Sequence, residues 1–144
     1  MPKQIDFTGL KKALSSDPNV AVVYLLGSYA RGQPRSISDV DIGIVLKDAS
    51  SLEKDYLKTH VHYYNLLSSF VEYRSKQREI DLVFLQKAPV SLQHEAISEG
   101  KALYSADALT RINFEEQVGH HYADLKPHLD ELTYENLEVM AHAH

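Results

Sequence analysis

Seven consecutive apolar residues, Val20 to Leu26, stop at Gly27-Ser28, and after ten further residues Asp39 and Asp41 bracket the start of a second apolar run, Val40 to Leu46. Both runs are rich in β-branched residues, as expected of buried strands, and the first breaks off at a tight turn. Residues two apart on a strand share a face, so Asp39 and Asp41 are expected to project together with Cα atoms about 6.6 Å apart. Two carboxylates held that close repel unless a cation lies between them. A hard divalent ion such as Mg²⁺, shared with phosphate oxygens of a substrate, is the simplest answer. A third acid, Asp81, stands within Ile80-Asp-Leu-Val-Phe-Leu85. If that strand lies beside the Asp39/Asp41 strand, three carboxylates converge. A charge inside an apolar strand is rarely buried without a partner.

The turn supplies what an anion needs. Gly27 allows close backbone approach, and a short helix beginning near Ser28 would aim free N–H groups and the Ser28 hydroxyl at a phosphate. A nucleoside triphosphate with its β- and γ-phosphates on Gly27-Ser28 would place its α-phosphate near Asp39 and Asp41. Two ions about 3.5–4 Å apart could then clamp the attacking and leaving oxygens, with Asp81 completing the site nearer the attacking hydroxyl. Arg31 has two readings, as a phosphate or acceptor contact and as a structural partner of an aspartate. The segment Gln33 to Ser38 reads as a solvated loop rimming the site.

The pattern of Gly27-Ser28, ten residues, Asp39-x-Asp41 and a later lone Asp81 on a strand resembles the nucleotidyltransferase superfamily that includes DNA polymerase β. It resembles in particular the minimal (MNT) antitoxins paired with HEPN toxins. Ala30-Arg-Gly32, Ser38 and Ile97-Ser-Glu-Gly-Lys-Ala-Leu-Tyr104 agree with this. The resemblance covers roughly residues 6 to 105. It implies an α/β fold, a small mixed β-sheet flanked by helices, with C-terminal helices added to a polymerase β-like core. It also implies Asp39, Asp41 and Asp81 as catalytic residues and metal ligands, and Gly27, Ser28 and Arg31 as nucleotide-binding residues. ATP would be the co-substrate, Mg²⁺ the cofactor, and a tyrosine of a cognate HEPN-type toxin the acceptor of AMP, in a hetero-oligomer with that toxin. Two other functions stand beside this one. The chain could neutralise a toxin by contact alone, or modify a small molecule. The latter usually needs a further acceptor domain, and only about forty residues follow residue 105.

Asp6 can cap a first helix bearing Phe7, Leu10 and Leu14. Ser50-x-x-Glu53 reads as a capping box opening one long helix of roughly 25 residues through Tyr63, Leu67 and Arg74, about 40 Å long if straight. After strand 80–85, a helix from Pro89 to Gly100 and a short strand over 102–104 complete the sheet. From Asp107 the pattern is helical, with Phe114, Val118, Tyr122 and Leu125 as one stripe, an interruption at Pro127, and a second amphipathic piece carrying Leu129, Leu132, Leu137 and Met140. The expectation is a single domain over 1–144, with a catalytic core of about 6–105 and a helical segment over 107–141.

A chain of 144 residues buries about 68–70% of its unfolded surface, enough for a core without crosslinks. The absence of cysteine excludes disulfides and thiolate metal sites, and no apolar run nears the roughly 18–20 residues of a membrane span. A soluble cytoplasmic protein is expected. Fifteen basic against twenty acidic residues, net −5, argue against stable nucleic-acid binding. The local basic cluster Arg74 to Arg78, flanked by Glu72 and Glu79, reads as the solvated end of the long helix. His60/His62 and His120/His121 lack the i, i+4 spacing of a helical metal pair, and His142 and His144 lie in a tail.

Overall fold

The computed structural model describes residues 4–32, 40–72 and 80–142. Its centre is a four-stranded mixed sheet of order β5-β3-β2-β6, formed by β2 (Val20–Leu26), β3 (Val40–Leu46), β5 (Ile80–Phe84) and β6 (Lys101–Ser105). β2 pairs antiparallel with β3 and β6, while β5 lies parallel to β3. Every residue of β2 is buried, because the strand is internal and helices cover both faces. That is why its sequence is uniformly apolar and does not alternate.

On one face Leu10 and Leu14 of α1 (Phe7–Ser15) and Tyr63 and Leu67 of α4 (Tyr56–Ser68) pack against Val23, Leu25, Ile42 and Ile44. Leu10, Leu14 and Leu67 are completely buried, each stabilising the fold by about 1.5–3 kcal/mol relative to exposure. On the other face Ala96 of α5 (Val90–Glu99) and Phe114 of α6 (Ala108–His142) meet Val22, Tyr24 and Val45. Asp6 caps α1 as expected, accepting from the Gly9 N–H at 3.0 Å.

The expected long helix from Ser50 is corrected. It is two helices, α3 (Ser50–Lys54) and α4, and it stops at Ser68. Asp55 takes an extended conformation (φ −152°) and accepts from the Lys58 N–H at 3.1 Å, so it ends one helix and caps the next. The capping box is not formed. Asp48 accepts the Ser50 N–H at 2.9 Å, and Ser50 lies inside α3. Beyond Ser68 the chain enters β4 (Val71–Glu72), which pairs with β1 (Gln4–Ile5) in a two-stranded ribbon with no counterpart in the sequence reading. The Arg74–Arg78 cluster lies outside the described residues.

The second correction concerns the C-terminus, where the two expected pieces are one helix of 35 residues running through Pro127. A proline inside a helix removes one hydrogen bond and costs about 3 kcal/mol. Here it falls where every described residue from Lys126 onward is exposed, so water reaches the carbonyl that loses its donor. At about 1.5 Å per residue the helix is roughly 52 Å long and outruns the sheet. Val118 is its last buried side chain among the described residues. Among these residues no helix is long and apolar enough to cross a membrane.

Candidate functional site

The end of β2 is shaped by one glycine. Leu26 is extended, and Gly27 turns the chain into the four-residue helix α2 (Gly27–Ala30) with φ +66°, a conformation that side-chain-bearing residues rarely adopt. A Cβ at this position would collide with Asp41 Oδ2 and lie 3.2 Å from Asp41 Cγ. Gly27 is therefore required twice, for its backbone angle and for the space its missing side chain leaves to a carboxylate.

Register explains why Asp41 is there. It is opposite Leu26 across the β2/β3 ladder and beside Asp81 across the parallel β3/β5 ladder. Partners in register point to the same face, with neighbouring strands about 4.8 Å apart. Val40 and Ile42 on either side of Asp41 are fully buried on the α1/α4 face. Asp41 and Asp81 thus share the opposite face, Asp41 half-buried and Asp81 exposed on the edge strand. The sequence reading left this adjacency conditional on strand order, and the sheet supplies it. Asp39 lies outside the described residues. Among the described residues no group of three or more metal-ligating side chains forms; Asp41 and Asp81 account for two of the expected three carboxylates.

Ser28 occupies the first turn of α2, half-buried, and the helix start carries no side-chain cap. Arg31 ends α2, exposed, with its own N–H donating to the Gly27 carbonyl at 3.2 Å. Its guanidinium forms no ion pair with any described carboxylate.

Behind the site, a contact that the sequence reading missed ties β2 to α6. The Tyr24 hydroxyl donates to Glu115 Oε1 at 2.9 Å, and Arg111 Nε reaches the same oxygen at 2.9 Å. Burial first, and the neighbouring Glu115 second, push the Tyr24 hydroxyl well above the usual phenol range, so it remains a donor. Tyr24 lies three residues before Gly27, and no local pattern announces that a strand tyrosine will meet a glutamate 91 positions later.

A glycine turn closing on an acid-bearing strand at the end of a mixed sheet defines a fold shared with solved toxin–antitoxin structures. A chain of the crystal structure of a toxin-antitoxin with AMP-PNP is 20% identical, the match covering 90% of this chain and 99% of that one at a TM-score of 0.56. A chain of a mutant MntA-HpeT toxin-antitoxin is 23% identical, covering 90% and 99%, at 0.63. A chain of the rebuilt structure of the tri-AMPylated Shewanella oneidensis HEPN toxin in complex with MNT antitoxin is 22% identical, covering 88% and 92%, at 0.53. At these identities the likeness is one of fold. No curated protein matches the chain in sequence. The family model described as Polymerase beta, Nucleotidyltransferase matches residues 9–109, and the chain belongs to that family.

Proposed function

We propose that this nucleotidyltransferase transfers AMP from ATP to a tyrosine hydroxyl of a HEPN-type toxin and so acts as its antitoxin. The observation that carries the reading is the pairing of Asp41 with Asp81 on one face, beside a glycine turn that leaves Asp41 room. The family match supports the reaction type. The likeness in fold to an MNT antitoxin in complex with a tri-AMPylated HEPN toxin supports the acceptor.

In this reading Gly27 and Ser28 hold the β- and γ-phosphates through main-chain N–H groups and the Ser28 hydroxyl, and Arg31 reaches the same triphosphate. The acceptor oxygen bonds to the α-phosphorus as the bond from that phosphorus to the bridging oxygen breaks. Pyrophosphate leaves, and the hydroxyl proton passes to Asp81 and then to solvent. Asp39, Asp41 and Asp81 would hold Mg²⁺, which when bound supplies charge neutralisation on the phosphates and a lowered pKa at the attacking hydroxyl. Asp41 fits that role because it is a half-buried carboxylate with a second carboxylate in register beside it. Positioning and electrostatics carry such a reaction without a covalent enzyme intermediate. The catalytic core is residues 6–105 of a single domain, and the outlying half of α6 helps to hold the partner.

The test is co-expression with the HEPN-type protein encoded beside this chain, followed by mass spectrometry of that protein. We expect it to gain one or more AMP masses with wild type and none with an Asp39→Asn/Asp41→Asn variant. Neutralisation by both, with no mass gained in either case, would replace catalysis by contact alone.

A further inference from the structure

At the same end of the strands as Gly27, but on the opposite face of the sheet, a groove of about 560 Å³ opens between α1, α2 and the edge strand β6. Its floor is apolar, made by Leu25 and Leu103, 3% and 8% exposed, with the partly buried Ile5 beside them. Its rim combines an aromatic side chain with two cations. Phe7 is 41% exposed there, and Lys11 and Lys101 stand on it, both solvent-facing. Neither lysine forms an ion pair with any described residue, and no carboxylate lines the groove among the described residues, in a chain of net charge −5. An apolar trough with two unneutralised cations is complementary to a segment carrying apolar and acidic side chains together.

We propose that this groove docks an extended segment of the acceptor protein, seating apolar side chains on Leu25 and Leu103 and carboxylates on Lys11 and Lys101. The proposal rests on the reading above that the acceptor is a protein. Asp41 and Asp81 project from the other face, so an occupied groove leaves the reacting face open. A partner tethered there meets the acids at raised effective concentration. Docking is thereby separated from chemistry, and the two are disturbed by different residues.

The test needs no turnover. A fluorescein-labelled twelve-residue peptide alternating leucine and glutamate is titrated by anisotropy, beside the same peptide with lysine for glutamate. We expect the glutamate peptide to bind more tightly despite the overall negative charge of the protein. Its affinity should fall at least about tenfold in Lys11→Glu/Lys101→Glu and as NaCl rises from ~0.05 to ~0.5 M, and should be unchanged in Asp41→Asn. Equal binding of the two peptides, indifference to Lys11→Glu/Lys101→Glu, or no binding at ~1 mM would each overturn the proposal and leave Lys101 as a charge that guards an edge strand. Peptide binding without label transfer to any partner would sink the reaction and spare the groove. Transfer whose KM is untouched by the two lysine substitutions would do the reverse.

Discussion

Gly27 and Asp41 share one space: a Cβ at residue 27 would displace Asp41 Oδ2, so any side chain there moves the carboxylate. Gly32, at φ +71°, offers a control within the same chain, since a Cβ there meets nothing within 4 Å among the described residues.

Gly32→Ala should therefore cost only the backbone term for a left-handed residue, about 1–2 kcal/mol, and leave nucleotide binding unchanged. Gly27→Ala should cost more than Gly32→Ala and weaken ATP binding as well, because Asp41 must move. Thermal unfolding and equilibrium titration of both variants check this; equal losses in the two would mean that the carboxylate yields without consequence.

Asp41→Asn and Asp81→Asn should separate binding from chemistry. Loss of Asp41 is expected to reduce label transfer by ~10³-fold or more. Asp81→Asn should hold ATP within roughly tenfold of wild type while transfer collapses, the pattern of an interaction made chiefly in the transition state. Measured Kd for ATP and single-turnover rates decide it, and a parallel loss of binding and rate in Asp81→Asn would give that residue a ground-state role.

Tyr24 makes a prediction at alkaline pH. Burial and Glu115 raise its folded-state pKa above the ordinary value of 10.0, so the folded state holds the proton more tightly than the unfolded chain. By linkage its contribution is fully present below pH 10 and is lost as pH rises through the folded value. Tyr63, raised by burial and by Asp17 beside it, acts in the same direction. Stability should fall above about pH 10, and Tyr24→Phe should make that decline shallower while lowering stability at pH 7 by about 1–3 kcal/mol, as Glu115 loses a buried donor. Denaturant midpoints from pH 7 to pH 11 test both signs.

Pro127→Ala restores a hydrogen bond in the exposed half of α6. Amide exchange should slow in residues 119–130, and helicity by circular dichroism should rise. The main unfolding transition should move little, since the sheet and its two core clusters lie elsewhere. A large rise in Tm would show that the outlying half of α6 is coupled to the core.

What the sequence determined by itself are the features written in contiguous residues. Strands 20–26 and 40–46 are legible because internal strands must be apolar on both faces, most of 80–84 because its apolar run is broken by a single charge, and Gly27 and Asp41 because one ends and the other interrupts an apolar run. The Asp6 cap and the helix from Pro89 to Gly100 follow from local backbone chemistry in the same way. Tertiary structure alone decided the rest. Parallel pairing of β5 with β3 puts Asp81 beside Asp41, and pairing of β6 with β2 puts Lys101 beside Leu25. Neither choice leaves a trace in local periodicity, because each satisfies backbone groups between residues dozens of positions apart. The break at Asp55 and the passage of α6 through Pro127 are not legible in local sequence either. Both turn on small local energies, a cap in one case and a solvated carbonyl in the other, whose balance is set by whether packing continues beyond them.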